Sequence, residues 1–253
     1  MAQEKEEIIL KNRILELGNA AIRRGIPCYT DFLNLNEQNI LHTIEKQLGM
    51  VNVIEYGGFE LAERKLFCFL APDSYCEPDF PVEIIKIEVK NVKYSDTLTH
   101  RDYLGAILNL GIDRAKTGDI IVDFPDGYVF CKSEIAEYVT ANLEKIKHTQ
   151  VKCTIVEKQE FSVEPKYKEI QKTVPSLRLD AIIAAAFQGS RSSLSGLIQR
   201  EKVFVNGKMI SSNSYALKEG DIVSVRGEGK FRLKELQNQT KKGRTYVLLQ
   251  KYI

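Results

Sequence analysis

Residues 177–208 pass from a helical repeat of apolar side chains to a strand repeat, and this change limits the folds that the segment can adopt. The first apolar set recurs at i, i+3, i+4 and i+7, which is one face of a helix, and comprises Leu179, Ile182, Ile183 and Ala186. We therefore predict a helix over residues 177–187. A second helix, capped by Ser190, should point Leu194, Leu197 and Ile198 at the same core.

The strand repeat begins at Val203–Val205 and runs into Asn206 and Gly207. This dipeptide tolerates the positive φ angles of a tight hairpin turn, so a β-hairpin is predicted. Gly220 and Asp221 then precede a second alternating strand at Ile222–Val225. Two helices followed by small strands form a compact module.

Charge is segregated along the chain, although the totals nearly cancel at 36 Lys plus Arg against 34 Asp plus Glu. Residues 173–253 hold 14 basic and 6 acidic residues, a net charge of +8, which leaves the preceding 172 residues at −6. A basic module attached to an acidic body is typical of phosphate attraction at one end, with binding that weakens as salt rises. An ordinary solvated surface is the alternative.

The C-terminal tail extends this basic character. Residues 231–233 and 246–249 are predicted to pair as strands, with Lys241, Lys242 and Arg244 at the end of their loop. These three side chains are candidates for a second phosphate contact, and a solubilising turn is an equal alternative.

The rest of the chain predicts an α+β protein. Residues 1–80 form a small N-terminal α+β unit of two helices and two strands, with no catalytic signature. Residues 81–157 have the order β-α-β-β-α-β of a ferredoxin-like, RRM-like sheet. Residues 158–174 are polar and charged and are predicted to be a linker, which leaves residues 175–253 as the C-terminal domain. Tyr128 and Phe130 share one face of a central strand, where core packing is favoured over base stacking.

Cysteine usage and the termini set further limits. The five cysteines include no C-x-x-C pair and no histidine at ligand spacing, so neither a disulfide framework nor a zinc site is indicated. The N-terminus is charged, and no apolar run reaches the ~18 residues of a membrane span. We expect a cytoplasmic protein without metal, cofactor or membrane contact.

The C-terminal module resembles the RNA-binding domain of small-subunit ribosomal protein S4. The resemblance rests on the opening at residues 178–180, the Ser-Arg-Ser start of the second helix, the turn at residues 203–207 and the Gly-Asp before the last strand. That family often has glycine before the first strand, where this chain has residues 200–202. The resemblance implies that the second helix and the hairpin face structured RNA.

The candidate RNA-binding side chains follow from that resemblance and from the polar face of the second helix. Arginine would grip phosphate through paired donors, lysine as a point charge and serine by single hydrogen bonds. The candidates in and beside the module are Arg178, Ser190, Arg191, Ser192, Ser195, Gln199, Arg200, Lys202, Asn206 and Lys208. Ser190 and Asn206 have purely structural alternatives as a cap and a turn residue, and Arg178 has one as an ion-pair partner of Asp180.

The whole layout is similar to that of the bacterial YlmH family, and the segment His-Arg-Asp-Tyr-Leu-Gly-Ala-Ile-Leu-Asn-Leu-Gly at residues 100–111 is its distinctive match. The resemblance implies a non-enzymatic, ribosome-associated RNA-binding protein that acts on the large subunit with stalled peptidyl-tRNA. It also implies a link to the cell-division gene neighbourhood. The expected partners are ribosomal RNA or tRNA, with a possible protein partner on the acidic body.

Two other classes of function compete with this one. An RNA-modifying enzyme with an appended binding domain would use Arg178 and Asp180, but they lie inside the binding module itself. His100, Arg101 and Asp102 match part of a kinase catalytic loop, yet the accompanying asparagine and glycine-rich motifs are missing and Asp102 is predicted to cap a helix. A scaffold for division proteins would leave ribosome sedimentation insensitive to charge reversal in the second helix.

Overall fold

The computed structural model describes residues 2–74, 77–158, 161, 167–189, 191–240 and 243–252, and within them leaves undescribed the side chains of residues 2, 3, 191–193, 195 and 239. The chain divides into two compact units, an N-terminal unit of residues 1–163 and a C-terminal unit of residues 164–253.

The N-terminal unit contains four helices and eight strands among its described residues. In chain order these are α1 (Ala2–Arg24), β1 (Cys28–Tyr29), α2 (Leu35–Ile44), β2 (Asn52–Tyr56), β3 (Leu66–Leu70), β4 (Val82–Val89), α3 (His100–Leu108), β5 (Thr117–Asp123), β6 (Asp126–Lys132), α4 (Ser133–Asn142), β7 (Lys145–Ile146) and β8 (Thr149–Val156).

The first part of this unit is a three-stranded antiparallel sheet in the order β1-β3-β2, covered by α1 and α2. Ile14, Leu17 and Ala21 form the apolar stripe of α1 and are buried, as their helical spacing predicts. Helix α2 begins at Asn34, whose side chain accepts from the backbone N–H of Glu37 while the Glu37 carboxylate accepts from the Asn34 N–H at 2.6 Å. Local signals therefore define both helices.

The second part is a five-stranded antiparallel sheet in the order β5-β6-β4-β8-β7. Helices α3 and α4 cover one face, where Tyr103, Ile107 and Val139 are buried against Ile85 and Val129. This is the ferredoxin-like arrangement, and the predicted β-α-β-β-α-β order is confirmed.

The opposite face of the five-stranded sheet packs on the N-terminal part. Val82, Ile84 and Phe130 share one buried cluster with Phe32 and Leu66. Residues 1–80 and 81–157, which the sequence predicted to be separate domains, therefore lie in one compact unit with a shared core.

Polar contacts join the same two parts. The Asp119 carboxylate, on β5, accepts from the backbone N–H groups of Glu63 at 2.6 Å and Arg64 at 3.1 Å. The Arg64 side chain donates to the carbonyls of Thr117 at 3.0 Å and Phe32 at 2.7 Å. These contacts satisfy backbone groups at the seam.

The C-terminal unit contains two helices and six strands among its described residues. They are β9 (Tyr167–Val174), α5 (Leu179–Phe187), α6 (Arg191–Gln199), β10 (Val203–Val205), β11 (Lys208–Met209), β12 (Ile222–Val225), β13 (Gly229–Gln239) and β14 (Thr245–Tyr252).

The strands form one antiparallel sheet in the order β11-β10-β12-β13-β14-β9, and α5 and α6 cover one face. Both predicted helices and the predicted strand pairings are present. Leu179, Ile182 and Ile183 are buried, as are Leu194 at 6% exposure and Ile198.

The predicted linker over residues 158–174 is wrong for its second half. Tyr167–Val174 is strand β9, which pairs antiparallel with β14 along its whole length. Only Ile170 and Val174 of this strand are buried. Because β9 is an edge strand with most side chains in solvent, its composition is that of a linker although its backbone belongs to the sheet.

Candidate nucleic-acid interface

The connection from α6 to β10 carries two of the predicted basic residues in exposed positions. Arg200 and Lys202 leave the end of α6 with backbone N–H groups bound to the carbonyls of Gly196 at 3.1 Å and Leu197 at 3.0 Å. Between them, Glu201 takes a positive φ of 57°, a conformation that glycine adopts most easily. The chain thus makes the turn where the related domain often has glycine, and both basic side chains remain exposed.

A third basic residue joins this surface from the neighbouring strand. The Lys202 carbonyl accepts from the Arg226 N–H at 2.9 Å, because Val203 and Val225 are paired across β10 and β12. The Arg226 guanidinium lies 5.2 Å from the centre of the Phe204 ring. Arg226 was not among the predicted residues. Its signal was its place directly after a predicted strand, which becomes informative only once the register is known.

We call Arg200, Lys202 and Arg226 the basic edge. All three are exposed and lie at one end of the sheet, next to the C-terminal end of α6. Gln199 is exposed as the last residue of α6. The arrangement places two guanidinium groups and one ammonium group, all suited to phosphate, at the same end of the sheet.

The hairpin turn is built as predicted, with φ of 49° at Asn206 and 77° at Gly207. The Asn206 side chain donates to Asp221 at 2.9 Å and accepts from the Ile222 N–H at 2.9 Å. These contacts favour the structural alternative for Asn206. Lys208, on β11 beyond the turn, is exposed.

Arg178 also has a structural partner. Its guanidinium donates to the Asp180 carboxylate at 3.0 and 3.3 Å, immediately at the start of α5. The structure therefore favours the ion-pair alternative, because a guanidinium held by a carboxylate presents less charge to phosphate.

Several predicted residues lie wholly or partly outside the part of the chain that the structure describes. Ser190, Lys241 and Lys242 lie outside the described residues. The backbone puts Arg191, Ser192 and Ser195 in α6, and their side chains lie outside the described part of the chain.

Arg244 lies at a second place in the same unit. Its guanidinium donates to the Thr173 carbonyl at 2.7 Å, and it lines a groove of about 500 Å³ together with Lys172 and Gln188. Small residues of α5 form the floor, and none of the lining residues that the structure describes is acidic. Arg244 is thus both anchored to the sheet and available at its edge.

The five-stranded sheet of the N-terminal unit does not offer an open aromatic surface at Phe130. The Phe130 ring is fully buried, with ring centres 4.9 Å from Phe59 and 5.1 Å from Phe161. Tyr128 contacts Phe161 edge to face at 5.3 Å. Core packing is confirmed for Phe130, and Tyr128 packs against the same cluster while remaining partly exposed.

The residues with partial enzyme motifs have structural partners. Hydrogen bonds from Lys147 and Thr99 lower the pKa of Asp102 to about 2, and the Asp102 carboxylate accepts from the Thr99 N–H at 2.8 Å at the start of α3.

Burial raises the pKa of Cys131 to about 12 and that of Cys153 to about 11, so both thiols stay protonated near neutral pH.

The described residues form neither a metal-binding cluster nor a membrane-spanning helix. They contain no cluster of three or more His, Cys, Asp or Glu side chains suited to a metal ion. No helix in the described ranges is both long and apolar enough to cross a membrane.

Comparisons with known proteins agree with this architecture. Residues 76–160 match the putative RNA-binding domain in YlmH, and residues 177–223 match the S4 domain. The chain is 32% identical over 230 residues to the ribosome-associated protein quality control protein P2 of Bacillus subtilis (strain 168), covering 88% of this chain and 86% of the relative.

A solved structure, the cell division protein ylmH from Streptococcus pneumoniae, shares the fold with a TM-score of 0.51 and 22% identity. That similarity covers 62% of this chain and 95% of the solved one. Both matched domains and the near full-length identity to the Bacillus relative lead to one conclusion: the chain belongs to the YlmH family.

Proposed function

We propose that this protein binds structured RNA on the large ribosomal subunit and acts in ribosome-associated quality control. The observation that carries the proposal is the basic edge, which presents three exposed cations at one end of a sheet. Arg200 and Lys202 lie inside the segment matched by the S4 model, and Arg226 follows three residues after it. The name of the Bacillus relative supports the ribosome as the partner. The proposed target of this quality control is a large subunit that carries stalled peptidyl-tRNA.

Recognition on this proposal depends on shape and charge. Arg200 and Arg226 would each hold a phosphate through paired N–H donors, and Lys202 between them would add a point charge. Gln199, at the end of α6, adjoins the basic edge, and Lys208 is exposed at the opposite end of β10, beside the hairpin turn. Since a rigid sheet sets the spacing of these groups, a folded RNA with matching phosphates binds better than a flexible strand.

The N-terminal half of α6 adds further candidates. We include Arg191, Ser192 and Ser195 in the interface because the same helix ends at the basic edge. We leave Arg178 and Asn206 out of it, since Asp180 and Asp221 hold their side chains.

The proposed role is non-catalytic. The carboxylates that might have served catalysis, Asp102 and Asp180, are held by Lys147 and Arg178 respectively. Their positions at the starts of α3 and α5 are those in which acidic side chains stabilise a helix.

The test is a pelleting assay of the purified chain with large and small ribosomal subunits at several salt concentrations. Wild type should pellet with the large subunit, and a double variant Arg200→Glu, Lys202→Glu should not. A matched control, Arg13→Glu with Arg23→Glu on the exposed face of α1, makes the same change in net charge and should still pellet. Equal pelleting of both double variants would contradict the proposed interface, and wild type that pellets with neither subunit would contradict the ribosomal partner.

A further inference from the structure

A groove of about 620 Å³ lies in the N-terminal unit, between α3, the end of α4 and the turn after β7. It lies beside α3 and α4, the helices that cover one face of the five-stranded sheet. The opposite face carries an aromatic cluster in which the buried Phe130 ring packs against the partly buried Phe59 and Phe161. An RNA that binds this part of the chain would therefore need a surface other than that aromatic cluster.

Residues 100–111, the distinctive segment of the sequence, include side chains that do not pack in the core. Some of these residues line the groove. Tyr103 and Ile107 of α3 are fully buried against the sheet. Arg101, Gly105 and Asn109 follow one another at i, i+4 and i+8 and line the groove instead. The segment thus has two faces, one for the core and one for this opening.

The α3 side of the groove is low and open. A Cβ atom added at Gly105 would meet no atom within 4 Å, and the next lining residue is Ala106. Between Arg101 and Asn109 the middle of this helix face therefore carries only small residues, and the backbone of a linear polymer can approach α3 closely there.

The charges that line the groove are mostly positive. Arg101, Lys145 and Lys147 contribute three cations, against the carboxylates of Asp102 and Glu144. Asp102 is already bound to Lys147 at 2.8 Å. Arg101 and Lys145 are exposed and have no hydrogen-bond or ion-pair partner within the described ranges, so their charges face solvent.

We infer that this groove binds the sugar–phosphate backbone of RNA as a second contact, separate from the basic edge of the C-terminal unit. The inference rests on the proposed function, because it assumes that the chain acts on RNA. A guanidinium, an ammonium and the Asn109 amide offer donors to phosphate and ribose oxygens. No aromatic side chain lines the groove among its described residues, whereas the anchors of protein–protein interfaces are often aromatic.

The experiment measures the affinity of the full chain for two probes, total bacterial tRNA and purified large ribosomal subunits, across a range of salt concentrations. Gly105→Leu fills the groove without changing charge, and Gly105→Ala is its control because one methyl group fits. Arg101→Glu with Lys145→Glu removes the cations, and Arg13→Glu with Arg23→Glu matches its change in charge. All variants are first compared with wild type by thermal unfolding.

Both groove variants should weaken binding about tenfold or more for at least one probe, while both controls retain wild-type affinity. The charge variant should also reduce the steepness with which the logarithm of affinity falls against the logarithm of salt concentration. The reduction should be nearly 2, at about 0.9 for each lost phosphate contact. Weaker binding to tRNA alone would identify tRNA as the RNA that the groove binds. Weaker binding to large subunits alone would identify ribosomal RNA.

Other outcomes overturn the inference in distinguishable ways. Wild-type affinity of both groove variants, with binding still lost in Arg200→Glu, Lys202→Glu, would remove the groove and keep the proposed function. An equal loss in the charge variant and in its charge-matched control, with Gly105→Leu at wild-type affinity, would assign the effect to long-range attraction and remove the groove as a site. Wild type that binds neither probe would overturn both proposals.

Discussion

Asn206 donates a 2.9 Å hydrogen bond to the carboxylate of Asp221, which joins the hairpin turn to the start of the next strand. The same amide side chain accepts from the Ile222 N–H, and the other Asp221 oxygen accepts from the Lys218 N–H at 2.7 Å. One asparagine therefore organises both connections at this end of the sheet. Its role is to hold the turn that precedes Lys208, which is why Asn206 is left out of the proposed RNA interface.

Replacing Asn206 should lower stability more than RNA affinity. Asn206→Ala loses two hydrogen bonds and puts alanine at a positive φ, which should cost about 1–3 kcal/mol in the free energy of unfolding. Asn206→Gly keeps the backbone conformation and should cost less. Denaturant unfolding measures this difference. A loss of RNA affinity in Asn206→Gly at a temperature where the variant is fully folded would instead place Asn206 in the interface.

Arg226 should be a determinant of RNA affinity. Arg226→Ala should weaken binding by about 1–3 kcal/mol if the guanidinium holds a phosphate, and Arg226→Lys should recover part of that loss because the charge remains. Filter binding against salt concentration measures both effects, with a slope lower by about 1 for Arg226→Ala. Lys168→Ala, an exposed lysine on edge strand β9, is the control. Equal affinities of Arg226→Ala and Lys168→Ala would remove Arg226 from the interface.

Phe130 should matter for folding and not for RNA binding. Phe130→Ala removes a fully buried ring and should lower the free energy of unfolding by about 3–5 kcal/mol. If the ring stacked on a base instead, its loss would weaken RNA binding by about 1–3 kcal/mol. Measuring both the free energy of unfolding and the RNA affinity of the variant separates these two results. If Phe130→Ala fails to fold, Phe130→Leu can replace it because leucine keeps most of the side-chain volume.

Asp31 should give the N-terminal unit an acid-sensitive contribution to stability. Burial alone would raise the pKa of Asp31, but hydrogen bonds from Lys132 at 2.8 Å and Lys116 at 2.9 Å hold it below its ordinary value. A lowered pKa in the folded state stabilises the fold above the ordinary aspartate range of about 3.9. That contribution is lost as the pH falls through the lowered value.

The wild type should therefore unfold at a higher temperature than Asp31→Asn at pH 6, and the gap should close as the pH is lowered below about 4. Thermal unfolding between pH 3 and pH 7 tests this. Asp73→Asn, an exposed carboxylate after β3, should track the wild type throughout. A gap between wild type and Asp31→Asn that stays constant down to pH 3 would contradict the ion-pair account.

The parts of the fold that the sequence predicted are those set by local patterns. The apolar stripe from Leu179 to Ala186 defines α5, and Asn206 with Gly207 defines the hairpin, because each signal lies within one element. Arg200 and Lys202 were predicted from the resemblance of the C-terminal module to the S4 domain, and the structure shows that both are exposed.

The parts that it missed depend on contacts distant in sequence. Asp119 meets the backbone of Glu63 and Arg64 more than fifty residues away, and no local pattern reveals that this seam joins the two predicted domains. Strand β9 was read as a linker because only Ile170 and Val174 are buried. Arg226 joins the basic edge only through the pairing of β10 with β12.

The most direct test of the central claim is sucrose-gradient sedimentation of lysate in which ribosomes have been stalled, comparing wild type with Arg200→Glu, Lys202→Glu. Recognition of ribosomal RNA through the basic edge predicts that wild type migrates with large subunits, that the variant remains at the top, and that raising the salt moves wild type there as well. Migration of the variant with large subunits, at the same position and salt resistance as wild type, would contradict it.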